Sequence, residues 1–185
     1  ADCNRGEYDK AIVDCTEAVR LDPNLAMAYN NRSEAFLRKG ESDKAIADLN
    51  KAIQLDPTDP VAHFNRGWGY CIQGDCDQAI HDLNEAIRLD PMFARAYSER
   101  GAAYRVMGDH DRAIADCTEA FRLDPTHAIA RHNRGGSYFE KGEYDKAVAD
   151  YTDVIQLGLR QPEPYAGRAA VYRALGDEEK AAQDE

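Results

Sequence analysis

The stretch Arg88-Leu89-Asp90-Pro91 occurs four times in slightly varied form. It is preceded by Arg20-Leu21-Asp22-Pro23 and Gln54-Leu55-Asp56-Pro57 and followed by Arg122-Leu123-Asp124-Pro125, each 34 residues from the last without slippage. A fifth register, Gln156-Leu157-Gly158-Leu159, has lost the Asp and the Pro. A fixed period of this length means that one supersecondary unit stacks on the next, because no single unit can bury its own apolar face.

Working outward from this stretch, every other marker keeps the same interval. Ala11, Ala45, Ala79, Ala113, Ala147 and Ala181 form one column, and Ala18, Ala52, Ala86 and Ala120 form a second, with Val154 in fifth place. Alanines seven apart share a helix face and let a neighbouring helix come close. Gly67, Gly101 and Gly135, with Ser33 and Ala169 in register, are the small residues expected opposite them. Phe36, Tyr70, Tyr104, Tyr138 and Tyr172 follow three residues on and fill the remaining space. Gly6, Gly40, Gly74, Gly108, Gly142 and Gly176 stand where a left-handed residue would close a helix. Three residues later, Asp9, Asp43, Asp77, Asp111, Asp145 and Glu179 suit a helix start, either as caps or through the dipole. Proline marks the end of each second helix, and strand patterns are absent. The expectation is an all-α, right-handed superhelical solenoid of antiparallel helix pairs, each helix about 12–14 residues. Its divisions are a partial repeat over 1–25 (mainly a second helix, Asp9 to Leu21), full repeats over 26–59, 60–93, 94–127 and 128–161, and a truncated repeat over 162–185.

These markers resemble the tetratricopeptide repeat family, and the resemblance runs from Gly6 to the end of the chain. Two columns depart from the family pattern. The bulky aromatic near the start of each first helix is Tyr29, His63, Tyr97, Arg131 and Tyr165, and the expected Leu three residues on is Arg32, Arg66, Arg100, Arg134 and Arg168. The arginines have a matching column, Asp14, Asp48, Asp82, Asp116, Asp150 and Asp184, at 16 residues within a repeat or 18 across its boundary. A fork-shaped guanidinium suits a carboxylate, so the two columns read as an internal salt-bridge ladder rather than a ligand-binding row. On that reading Arg66→Leu, which restores the family residue, should be tolerated better than Asp82→Ala.

Composition narrows the function classes. The 185 residues carry a formal charge of −11, from 34 acidic and 23 basic side chains, which repels a nucleic-acid backbone. No apolar run approaches the roughly 20 residues of a membrane span. Cys3, Cys15, Cys71, Cys76 and Cys117 match no zinc spacing; Cys15 and Cys117 share a column with Leu49, Leu83 and Tyr151 and read as buried thiols. Reduced thiols fit a cytoplasmic setting. His63, His81, His110, His127 and His132 include no pair four residues apart on one helix face, and no Gly-rich phosphate loop exists. The expectation is no enzyme, no metal and no cofactor.

The resemblance implies a protein or peptide partner held on the concave side, which the first helices line. The candidates there are Asn30, Asn31, Phe64, Asn65, Trp68, Arg95, Arg105, His132 and Asn133. Asn31, Asn65 and Asn133 share one column, with Glu99 as the exception. A similar asparagine column in the repeat domain of O-linked N-acetylglucosamine transferase holds the backbone of an extended peptide. First helices ~10 Å apart would meet every third residue of a chain rising ~3.3 Å per residue. The alternative is a surface Asn recurring with the duplicated unit. Phe64 and Trp68 read as an aromatic wall beside basic Arg95 and Arg105, with Trp68 exposed. The family's Lys and Asn clamp for a C-terminal carboxylate is not matched. Two other readings stay open: a scaffold that self-assembles end to end as a weak homo-oligomer, and a regulatory domain of a larger enzyme. The ends bear on the first of these. Register puts Ala1 in the last turns of a first helix and Glu185 inside a second one. Ile12, Cys15 or Val19 at one end, and Ala169, Tyr172 or Ala181 at the other, are then expected to be exposed.

Overall fold

The computed structural model describes residues 2–157 and 162–185. Ala1, the side chain of Cys3, Gly158, Leu159 and Gln161 lie outside the described residues. All regular structure among the described residues is α-helical, in two compact units that divide between Met92 and Phe93. The first unit holds α1 (Asp2–Leu21), α2 (Ala26–Arg38), α3 (Ser42–Leu55), α4 (Pro60–Gln73) and α5 (Cys76–Leu89). The second holds α6 (Ala94–Val106), α7 (His110–Leu123), α8 (Ala128–Glu140), α9 (Tyr144–Gln156), α10 (Pro162–Ala174) and α11 (Glu178–Asp184). Within each unit consecutive helices pack on one another, and first helices also touch: α2 with α4, α6 with α8, α8 with α10.

The repeated punctuation has a local cause at both helix ends. The glycines at 40, 74, 108, 142 and 176 have φ between 74° and 80°. That turn lets the next residue's N–H reach back to the aromatic's carbonyl, as from Asp75 to Tyr70 at 3.0 Å and from Asp109 to Tyr104 at 2.9 Å. Gly6 does not follow the column: it lies inside the uninterrupted α1, so no helix pair closes there. Asp56, Asp90 and Asp124 of the Leu-Asp-Pro copies end their helices in extended backbone, and each carboxylate accepts the N–H two residues on, past the proline. Second helices start at Asp75, Asp109 and Asp177, which cap Gln78, Arg112 and Lys180 N–H groups. Asp43, Asp77, Asp111 and Asp145 sit in the first turn instead, where they favour the helix through its dipole.

The small-residue columns are the core. Ala45, Ala52, Ala79 and Ala86 in the first unit, and Ala113, Ala120, Ala147 and Ala181 in the second, are fully buried. A Cβ at Gly67 would lie 2.9 Å from Leu83 Cγ, and one at Gly101 would lie 2.7 Å from Cys117 Sγ, so neither position admits a side chain without displacing its neighbour. Cys117 is a core residue whose thiol burial pushes up to about 12, which leaves it an inert hydrophobe. Ala169 and Ala181 are buried against their own unit, contrary to the exposure expected of them, while Ile12, Cys15, Val19 and Tyr172 are half-buried.

The arginine and aspartate columns form the expected ladder at the 16-residue spacing. Arg32, Arg66, Arg100, Arg134 and Arg168 each donate two hydrogen bonds of 2.6–2.8 Å to Asp48, Asp82, Asp116, Asp150 and Asp184. In four of them the remaining nitrogen bonds Thr16, Asn50, Thr118 or Thr152 on the preceding second helix, so one guanidinium ties three helices. The Asp82 side chain is 2% exposed and that of Arg66 is 20% exposed. This reverses the expectation for Arg66→Leu: it strands the more deeply buried of the two charges and should cost at least as much as Asp82→Ala. The polar exceptions in the aromatic column are also explained. His63 Nε2 lies 3.1 Å from the Pro57 carbonyl, in the same relation as the Tyr29 hydroxyl to Pro23 at 3.3 Å, and Arg131 stacks on Phe121 while pairing with Asp153.

Candidate functional site

The exposed face of the first helices carries side chains that the core does not use, and the two units differ there. In the first unit, Asn65 on α4 donates from Nδ2 to Asn30 Oδ1 on α2 at 2.9 Å, and both residues are buried. Asn31 is exposed. Arg38 lies over the Trp68 ring at 4.9 Å and pairs with Glu34 at 3.5 Å. Trp68 is therefore half-buried beneath a cation rather than an open platform, and Phe64, at 1% exposure, is a core residue and presents no wall to a groove.

In the second unit, Ser98 on α6 and Asn133 on α8 occupy the positions of Asn30 and Asn65 two repeats on. The hydroxyl is too short to bridge the helices. Ser98 Oγ, in a residue 1% exposed, has no hydrogen-bond partner, and the Asn133 carboxamide makes no hydrogen bond among the described residues. Glu99 is half-buried; burial pushes its carboxyl above the ordinary range, and the exposed Arg95 offsets part of that rise. His132 is half-buried with Nδ1 unpartnered. Burial and then Arg105 hold its imidazole below the ordinary value, with Glu163 acting the other way. Arg105 Nε is likewise buried without a partner, and no carboxylate among the described residues lies within ion-pair distance of its guanidinium.

Tyr151 completes this face, and the column reading of the sequence missed it. It stands where the other repeats have Cys15, Leu49, Leu83 and Cys117, and its larger ring needs room. Gly135, Gly136 and Gly167 supply that room: a Cβ at Gly167 would lie 2.6 Å from Tyr151 Cζ. The ring passes between α8 and α10 and packs at 5.5 Å from the His132 ring. Its hydroxyl makes no hydrogen bond among the described residues, and it lies 3.6 Å from where a Gly136 Cβ would be. Three glycines facing one oversized side chain were the available signal. Beside His132 a cavity of about 110 Å³ is lined by Ala128, Ile129, His132, Val154, Glu163 and Pro164, and Ile129 is 55% exposed.

A larger cleft at the helix-terminal turns, around Met107, His110 and Lys141, holds cations that are already paired, together with a buried His110 Nδ1 without a partner among the described residues. There Arg112 pairs with Asp109 at 2.6 Å and Lys141 with Asp111 at 2.5 Å. Among the described residues no group of three or more His, Cys, Asp or Glu side chains could hold a metal ion. No helix of the described residues is long and apolar enough to cross a membrane.

Comparison with known proteins gives a consistent picture. Family descriptions of the TPR repeat match residues 34–68 and 70–108, and those of the tetratricopeptide repeat match 94–127 and 128–157. No curated protein sequence matches the chain. Among solved structures, the chain is similar to MamA, at 28% identity over 84% of this chain and 91% of that one, with a TM-score of 0.73. It shares its fold with pilF of Pseudomonas aeruginosa, at 21% identity over 98% and 83% with a TM-score of 0.84. It also shares it with YrrB, described as a TPR protein with an unusual peptide-binding site, at 19% identity over 92% and 88% with a TM-score of 0.71.

Proposed function

This chain belongs to the tetratricopeptide repeat family, and from that premise we propose that it is a non-enzymatic scaffold binding an extended segment of a partner protein along its first helices. The observation that carries this reading is the contrast between two equivalent pairs. Asn65 spends its amide on Asn30, whereas Ser98 and Asn133 are left unbonded on the same face. A carboxamide offers donors and an acceptor, as a peptide group does, so an Asn133 side chain with no partner among the described residues can turn both to a ligand backbone. Asn133 is therefore the residue that meets the ligand backbone, and Asn65 is structural. The peptide-binding site named for YrrB lends support by fold alone.

An array of short extended peptides, read with the full chain and two variants, tests this. Asn133→Ala should weaken the bound peptides about threefold to tenfold with little change in Tm. Asn65→Ala should lower Tm and leave the affinity of the folded protein alone. Equal effects of the two substitutions on binding, or no peptide bound at all, would reject the reading.

A further inference from the structure

Every other deeply placed arginine among the described residues is spoken for. Arg32, Arg66, Arg100, Arg134 and Arg168 are each doubly bonded to an aspartate, and Arg131 pairs with Asp153 at 3.1 Å. Arg105 alone combines a buried Nε without an acceptor and a guanidinium without a carboxylate among the described residues. It also has a specific setting. A Cβ at Gly136 would lie 3.5 Å from Arg105 Cδ, 3.7 Å from its Nη1 and 3.6 Å from the Tyr151 hydroxyl. Nη1 and Oη thus flank the space that a side chain at 136 would fill, and His132, one turn back on α8 and stacked near Tyr151, adds an unpartnered Nδ1 to the same face. A guanidinium and a phenol flanking a glycine, with an imidazole packed beside the phenol, form a donor set suited to an anion.

We propose that Arg105, Tyr151 and His132, arranged around Gly136, bind the side-chain carboxylate of an internal Asp or Glu in the partner peptide. The inference rests on the groove reading above and names the partner's chemistry. The cavity between Ile129, Val154 and Pro164 borders the same His132 and takes an aliphatic side chain of that peptide. At a first-helix spacing of ~10 Å and ~3.3 Å per extended residue, the two anchors fall within about three residues of each other. Charge complementarity favours this occupant. The chain as a whole carries −11, so a local uncompensated cation is what distinguishes this spot from the acidic surface around it. A guanidinium wedged over a glycine is already oriented, so little side-chain entropy is lost when the carboxylate arrives.

The test uses pairs of C-terminally amidated peptides that carry a fixed Glu or the Gln counterpart at each position beside a Val or Leu, read with the full chain. We expect the Glu member to bind about tenfold more tightly, with the preference shrinking as salt is raised. Arg105→Gln should abolish that preference while leaving the Gln peptides bound. Gly136→Ala, whose Cβ makes only ordinary contacts and so spares the fold, should crowd the space and reduce the preference in the same direction. Equal binding of Glu and Gln peptides, or a preference that survives Arg105→Gln, overturns the carboxylate site while the groove reading stands. A preference that appears only when a free C-terminus replaces the amide overturns it too. Failure of every peptide to bind removes the groove reading itself, so the two failures are distinguishable.

Discussion

The first-helix face of the first unit and that of the second are built from the same columns, yet their polar groups end differently. On α2 and α4 Asn30 meets Asn65, Arg38 meets Glu34 and covers Trp68, and the face is satisfied from within. On α6 and α8 Ser98, Asn133, His132 and Arg105 have no such partners, and Tyr151 delivers a free hydroxyl among them. The frame behind both faces is the same ladder of arginine and aspartate. Duplicated columns therefore fix the scaffold, and a few shortened or enlarged side chains decide which stretch is left open to a ligand. Ser for Asn removes a bridge; Tyr for Leu or Cys, with three glycines, adds a donor.

The largest effect should come from breaking the frame that both units share. Asp82→Ala and Asp150→Ala each strand a partly buried arginine, Arg66 or Arg134, and should cost about 3 kcal/mol apiece in urea unfolding. Similar losses would place the difference between the units on the face alone; a loss confined to one unit would break the comparison at its base. Arg66→Leu should cost no less than Asp82→Ala. Next in size is Asn65→Ala, which strands the buried Asn30 carboxamide and should cost about 1–3 kcal/mol, against less than about 0.5 kcal/mol for Asn133→Ala. Thermal melts of the two variants side by side measure this directly.

Much of the architecture could be read in the residues themselves. The 34-residue spacing, the left-handed glycines and the Arg–Asp columns all have local or nearest-neighbour causes, which a sequence carries openly. Gly6 misled because a glycine in register need not be left-handed; with no strain to relieve, α1 runs through it. The face was less legible. Phe64 occupies a first-helix position that reads as groove, and only packing shows that it is 1% exposed. Trp68 looked open because Arg38, which stacks on it, lies a whole repeat away. Tyr151 was legible only as a core-column residue, because its role depends on glycines of neighbouring helices.

A smaller effect should follow from Ser98→Asn, which installs in the second unit the bridge seen in the first. The added carboxamide can accept from Asn133 as Asn30 accepts from Asn65, for a gain of about 1 kcal/mol in stability. The same bridge withdraws Asn133 from the ligand, so affinity for the array peptides should fall as stability rises. A variant that is more stable and binds unchanged would show that Asn133 is not a ligand contact.

The smallest effect, and the one that most directly probes the open face, is its response to pH. In the free protein His132 is held below its ordinary value, first by burial and then by Arg105, with Glu163 opposing and the buried Tyr151 ring beside it. The folded state therefore prefers the neutral imidazole. Its stabilisation is complete above the unfolded value of about 6.5 and declines as pH falls from there towards the depressed folded value. A carboxylate bound between Arg105 and Tyr151 cancels part of the Arg105 field and adds an attractive charge near His132, so the imidazole's proton affinity rises on binding. Binding then takes up a fraction of a proton, and affinity for a Glu peptide should tighten by up to about tenfold as pH drops from about 7.5 to 5.5, before the ligand carboxyl itself titrates near about 4.3. The Gln counterpart lacks the charge and should show no such slope, and His132→Gln should flatten the Glu curve and reduce, without abolishing, the preference for Glu over Gln that Arg105 carries. Titration calorimetry in buffers of different ionisation enthalpy measures the proton uptake. An affinity that loosens on acidification, or a slope that persists without His132, would place the imidazole outside the site.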